Sequence, residues 1–428
     1  DDTANGGTEV TYQPIVVTID QFETFVKTHP KGDLLQLPAW GKVKSATGWT
    51  HERIAVGTTS GEIAGVGLLL FKKVPKLPFT LCYAPRGFVV DYTDTDALRA
   101  LRDEAIRVAK QHKAIAIKFD PNVEREEYSG LLQEMQGLGF KHNGFGGGFD
   151  YAQPRFTMET SLEGTEKEIF DGFHSKFRYN VRLAERKGIV CEQVDREGLK
   201  TFAKLMVETG ERDGFSIRGL DYFENLYDHL HPQGDAVLFL TKLDVVRALE
   251  NTEALLLQAD KELSKIHRQL EKETAEKKLK SLNNRLEQTT AQIEKAEKSK
   301  TELMTIAAKH PDGVILSGGL LTLAGRRSYY LYGASSNEYR EFMPNHLMQW
   351  TMMQYAKEHG ALSYDFGGVS GSTDPDDHYA GLYAFKSGWG SRMIEKIGEF
   401  DYVLNRPLYL LLETGLPILQ KLRKKLRR

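Results

Sequence analysis

With 428 residues, the chain is long enough for two or three domains, each with a substantial core. Its 57 Lys and Arg stand against 59 Asp and Glu, which excludes a protein that is basic over its whole surface, so any polyanion must be met locally. The two cysteines, Cys82 and Cys191, lack CxxC spacing, which argues for a reducing, cytosolic setting and against a metal site, and no apolar run reaches the roughly 18 residues of a membrane span.

The first ten residues, DDTANGGTEV, lack a signal-peptide pattern and read as a loose leader or an expression remnant. In QLPAWGKVKSATGW, Lys42 and Lys44 follow Trp40, a spacing that means little unaided. A run of elements then begins with the strand pattern ERIAVGTTSGEIAGVGLLLF. FTLCYAPRGFVVD follows, then the helical TDALRALRDEAIRVAKQHK and the strand AIAIKFDP, ending at Asp120. The glycine-rich HNGFGGGFD lacks the strand-to-helix context of a dinucleotide site and reads as a flexible linker. SKFRYNVRLAERKGI sets Arg178, Arg182 and Arg186 on one helical face, with Phe177 and Leu183 toward the core; such a stripe fits successive phosphates or a solvated rim. ETGERDGFSIRGLDYF interleaves Arg212, Ser216, Arg218 and Tyr222, a loop able to offer a guanidinium fork to a diphosphate or to close a helix end.

The order strand, turn, strand, strand, helix, strand then recurs in AVLFLTKLD, GVILSGGLLTLAGRRSYYLYGASS, PNHLMQWTMMQYAKEHG and ALSYDFGG, which contains Asp365. GEIAGVGLLL from Gly61 aligns without a gap on GVILSGGLLT from Gly313, so two homologous α+β domains are expected rather than one large sheet. Where the first uses the turn GTTSG, the second carries everything between about Leu243 and Pro311. Leu256, Leu263 and Leu270 recur every seven residues with Ala259 and Ile266 between them, and Leu279, Leu286 and Ile293 pair with Leu282, Ala296 and Leu303. This spacing predicts an antiparallel two-helix hairpin, each helix about 25 residues and roughly 40 Å long, projecting as a binding arm or an oligomerisation spike.

Further on, GLYAFKSGWG sets Lys386 between Phe385 and Trp389, where a partly buried ammonium needs a partner or a job. The tail RPLYLLLETGLPILQKLRKKLRR is too interrupted to span a bilayer. Its basic end suits an anionic inner leaflet, or the solvated end of a helix packed on the body. GxSxG, HExxH and Walker loops are absent, and the histidines show no ligand spacing.

LQLPAWGKVK, YAPRGFVVD, IKFDP, QPRFT, GERDGFSIRGLDYF, YLYGASS, DFGGV and LYAFKSGWG occur in that order over nearly the whole chain. Together they resemble the Fem (FemABX) family of non-ribosomal peptidyltransferases, in its subgroup with a coiled-coil hairpin. With the repeat, the resemblance implies an α+β fold of two tandem acetyltransferase-like (GNAT-related) domains. Residues 1–10 would be the leader, 11–152 the first domain, 153–242 and 312–405 the second, 243–311 the inserted antiparallel coiled coil and 406–428 a basic C-terminal helix. The implied reaction transfers alanine, serine or glycine from an aminoacyl-tRNA to the stem-peptide amine of a peptidoglycan precursor, lipid II or UDP-MurNAc-pentapeptide, without cofactor or metal. The enzyme would be cytoplasmic and peripheral to the inner leaflet, with other family members as further partners.

By motif, Lys44 and Arg218 match family positions that hold the precursor's diphosphate, with Lys42 as the fallback, while Ser216, Tyr222 and Tyr332 match positions lining the same cleft. Asp120 matches an acid near the reacting amine, and Lys386 a lysine important for transfer. Arg178, Arg182, Arg186 and the arm are the candidate tRNA contacts. Acetyl-CoA-using relatives carry a pyrophosphate loop of the form Q/R-x-x-G-x-G/A, of which there is no convincing copy. A CoA-dependent N-acyltransferase and a coiled-coil adaptor are the alternative readings.

Overall fold

The computed structural model describes residues 10–415, which form two mixed sheets. The chain lays down β1 (Gln13–Pro14), β2 (Trp49–Gly57), β3 (Ile63–Lys73), β4 (Thr80–Ala84), β5 (Val89–Val90), β6 (Ala114–Phe119) and β7 (Lys141–His142). It continues with β8 (Phe156–Ser161), β9 (Ile189–Val194), β10 (Ala236–Leu243), β11 (Val314–Ala324), β12 (Arg327–Ser335), β13 (Ser363–Val369), β14 (Arg392–Glu395) and β15 (Phe400–Val403). The first sheet runs β1-β2-β3-β4-β6-β15-β7 with β5 on β3, and the second β14-β8-β13-β12-β11-β10-β9.

Both sheets follow the repeated order read from the sequence. β2-β3-β4 and β10-β11-β12 are antiparallel, after which a helix, Thr95–Gln111 or Pro344–Glu358, crosses over to deliver β6 parallel to β4 and β13 parallel to β12. The ungapped alignment holds in the backbone. Gly61 and Gly313 open β3 and β11 with φ of 89° and 85°, a region that strains any residue with a Cβ.

Between β10 and β11 stand two long helices, Val245–Leu270 and Glu276–Lys309. Asp244 accepts from the Arg247 amide at 3.0 Å directly after β10, so the strand becomes a helix without an intervening loop. The helices run antiparallel: Arg285 reaches Glu262 near the tip, and Lys300 lies 3.5 Å from Glu253 nearer the root. Ala259 and Ile266 on one, and Leu282, Thr289, Ala296 and Leu303 at seven-residue spacing on the other, are buried between them. The root is part of the body, because Val245, Ala248, Leu303 and Ile306 belong to the second sheet's core.

Two features depart from the expected boundaries. β15, assigned by sequence to the second unit, pairs antiparallel with β6 (Phe400 opposite Phe119) and with β7, so the chain returns to complete the first sheet. Helix Arg406–Thr414 then packs on that sheet through Tyr409, whose hydroxyl donates to Asp401 at 2.7 Å. The basic run from Lys421 lies outside the described residues. The glycine-rich segment is a tethered crossing rather than a flexible linker: the Gly148 amide donates to Ser370 O at 3.0 Å, and a Cβ there would sit 2.2 Å from Val369 O.

The units share a core. Leu37, Trp40, Val66 and Leu68 from the first pack with Leu205, Phe223, Leu226, Leu238 and Leu320 from the second. A buried polar chain reinforces the junction. The Asn122 amide and the Tyr329 hydroxyl both donate to Asp33 Oδ2, at 2.7 and 2.9 Å, and Lys396 Nζ donates to Asn122 Oδ1 at 3.1 Å.

Candidate active site

At the rim of the shared core, helix Pro38–Ser45 of the first unit packs on helix Leu220–Leu230 of the second, tied by Asn225 Nδ2 donating to Val43 O at 3.0 Å. This brings Lys44 and Arg218 together across the junction. Lys44 is 9 % exposed, with its ammonium 5.6 Å from the Trp40 ring. Burial, then the neighbouring cations Arg218 and Lys72, pull its pKa down to about 8. Arg218 lies 4.5 Å over the Tyr222 ring and bonds the Tyr332 hydroxyl, which is 3.0 Å from that of Tyr222. Two neighbouring cations beside two phenols have donors of the kind that suit an anion with several oxygens. Ser216 is exposed in the loop leading to Arg218. Lys42, on the same helix as Lys44, is exposed and lines a separate shallow depression with His51 and Arg53. Arg212 reaches the Ser335 carbonyl and Asn337, each at 3.0 Å, which gives it a structural role.

Asp120 follows β6 and is 2 % exposed. It accepts from the Tyr83 hydroxyl at 2.6 Å and the Arg86 amide at 2.7 Å. Burial pushes its pKa up to about 6, with the Arg86 charge opposing the rise. In the second unit, Lys386 lies in the last turn of helix Ala380–Ser387, 9 % exposed, and Nζ donates to Gly368 O at 2.8 Å. Burial lowers its pKa to about 8, and Asp365 counteracts the fall. The rings of Phe385 and Phe177 are centred 6.0 and 5.1 Å from that of Trp389. Arg86 acts on both Asp120 and Asp365, and Asp365 acts on Lys386, so four charges form a chain from the first sheet to the second.

Sequence reasoning had no role for Tyr83, Arg86 or Asp365. YAPRGF and the recurrence of an acid in the parallel strand were the available signals; their meaning depends on two sheets meeting.

The arginines of helix Ser175–Arg186 do not form a uniform stripe. Arg178 donates to the carbonyls of Asp171 (3.0 Å) and Phe173, closing the preceding helix. Arg182 and Arg186 are exposed, 5.1 and 5.6 Å from the rings of Phe170 and Tyr179. A groove of about 700 Å³ between this helix and the arm is lined by Arg186, Lys187, Lys261, Lys265 and Lys295. A second, of about 750 Å³ at the arm's tip, carries Lys261, Lys265, Arg268, Lys272, Lys278 and Arg285.

Among the described residues, no cluster of three or more His, Cys, Asp or Glu side chains could hold a metal. The FemAB family model matches residues 17–414. The chain belongs to the FemAB family. It is 52% identical over 419 residues to the lipid II:glycine glycyltransferase of Staphylococcus aureus strain MSSA476, covering 96% of this chain and 98% of that one. The strain N315 protein of the same name is 51% identical over the same shares. The crystal structure of FemX superposes with a TM-score of 0.85 at 51% identity, covering 94% of this chain and all of that one. Within the family the chain is an aminoacyltransferase.

Proposed function

We propose that this FemAB member transfers an amino acid from an aminoacyl-tRNA to the stem-peptide amine of lipid II, building the interpeptide bridge, with glycine the first choice from its relatives' names. The observation that supports the reading is the approach of two cations from different units, Lys44 and Arg218, a pair whose chemistry suits a diphosphate. In this reading Tyr222, Tyr332 and Ser216 would line the precursor's cleft. The repeated sheet order fits two acetyltransferase-like units, and the arm is read as a coiled coil.

An alkyl amine with a pKa of about 10.4 is mostly protonated at neutral pH and must lose a proton to attack. Asp120, raised to about 6, is a better base near neutrality than an ordinary carboxylate. The freed amine attacks the ester carbonyl, the carbonyl–ribose C–O bond breaks, and the departing tRNA hydroxyl takes a proton. Lys386 supplies positive charge for the oxyanion of the tetrahedral intermediate. The ester is already activated, so no covalent enzyme intermediate is needed.

Arg182, Arg186 and the two basic grooves along the arm are the candidate tRNA contacts, with Arg178 in a supporting place. Among the described residues, no helix is long and apolar enough to cross a membrane. The basic tail would hold the enzyme at the inner leaflet beside its lipid-linked substrate.

The test offers tRNAs charged with radiolabelled glycine, alanine or serine to lipid II and to UDP-MurNAc-pentapeptide, with Lys386→Met alongside. Label is expected on lipid II from glycyl-tRNA, falling about a hundredfold or more in the variant. Absence of label on both acceptors, and on a precursor already carrying one bridge residue, would overturn the reading. Incorporation from labelled acetyl-CoA instead would make the protein a CoA-dependent acyltransferase.

A further inference from the structure

Lys386 is held by a backbone irregularity. β13 pairs with β8 in register at Asp365 opposite Glu159 and again at Gly368 opposite Thr157, with two residues, Phe366 and Gly367, facing the single Met158 between them. This is a β-bulge, which bends the strand and re-aims its groups. Gly367 takes φ +89°, and Asp365 Oδ1 accepts the Gly367 amide at 2.7 Å, the i to i+2 bond by which an aspartate shapes a tight local turn. The Gly368 carbonyl beyond the bulge is the one that accepts from Lys386 Nζ. A Cβ on Gly367 would lie 3.4 Å from that ammonium, so the lysine rests on the bulge itself.

From this geometry we infer that Asp365 is a positioning residue for Lys386: one oxygen templates the bulge that presents the Gly368 carbonyl, and its negative charge keeps the buried ammonium charged. Glu159, Arg86, Lys396 and Arg327 also face Asp365, and Asp365 is the charged group that counteracts burial at Lys386. Asp365 contacts the lysine's support rather than the reacting atoms. The inference rests on Lys386 as the cation of the proposed transfer.

Asp365→Asn separates the two roles, since its amide oxygen can still accept the Gly367 amide while the charge is gone. The first readout is independent of activity: the Lys386 titration by NMR of full-length protein with ¹³Cε-labelled lysine, assigned by its loss in Lys386→Met. Its midpoint is expected to fall by about one pH unit in Asp365→Asn. The second is the pH profile of transfer, whose alkaline limb should move the same way, so that the variant loses more near pH 8.5 than near pH 7. Asp365→Ala, which also removes the turn bond, should lose transfer across the whole range, chiefly in kcat. An unmoved Lys386 midpoint in folded Asp365→Asn overturns the proposal, as does equal loss in the Asn and Ala variants at every pH. Absence of transfer by the wild type, with the midpoint still shifted in the variant, would instead overturn the function and leave the positioning intact.

Discussion

Asp120 carries a cost that can be measured. A carboxyl raised by burial from 3.8 to about 6 binds its proton more tightly in the folded state than in the unfolded one. Its penalty is therefore absent below about pH 4, grows as the pH rises toward 6 and is constant above that. Asp120→Asn should accordingly stabilise the protein at pH 7 by about 1–3 kcal/mol, with the advantage gone near pH 4, while transfer falls steeply. Thermal melts at the two pH values check this, and an equal stability difference at both would mean the carboxylate is not strained. Lys386 stood out in the sequence because a lysine set among aromatics and glycines is conspicuous, whereas Asp120 was picked out only by the likeness of IKFDP to the family's motif. Arg86 and Asp365 were not legible, since their roles arise from charges that approach only when β6 and β13 have been placed by separate sheets.

The arm behaves as two elements with different physics. Its root belongs to the second core, whereas its outer length is solvated and carries the basic grooves. Removing Leu249 to Met304 would take Leu303 from the core and confound any binding result. Replacing Leu256–Glu294 with a tight turn spares the root; the melting temperature should stay within a few degrees, while affinity for aminoacyl-tRNA falls about tenfold or more with a shallower salt dependence. Filter binding at two salt concentrations checks this, and unchanged affinity would remove tRNA from the arm's duties. The helices were readable because a seven-residue period is local, and the ungapped repeat was readable because two copies of one pattern lie in one chain. The return of β15 was not. FDYV has the same strand character whichever sheet receives it, so its partner is decided by non-local pairing with β6.

Over the whole molecule, a shared core, the Asp33–Asn122–Lys396 chain and the returned strand join the units, so they should unfold together. Residues 10–152 expressed alone would leave β6 without β15 and should be insoluble or molten, whereas the full chain should show one calorimetric transition. A soluble, cooperatively melting fragment would refute this interlock. The returned strand also sets a timetable on the ribosome. Residues 120–399, 280 in all, separate β6 from β15, and at about 5–20 residues per second their synthesis takes roughly 14–56 s. Throughout that interval the nascent first sheet presents an open edge. Lys118, whose ammonium in the finished fold bridges Glu399 and Asp401, lies on that edge, where an exposed charge discourages pairing between neighbouring nascent chains.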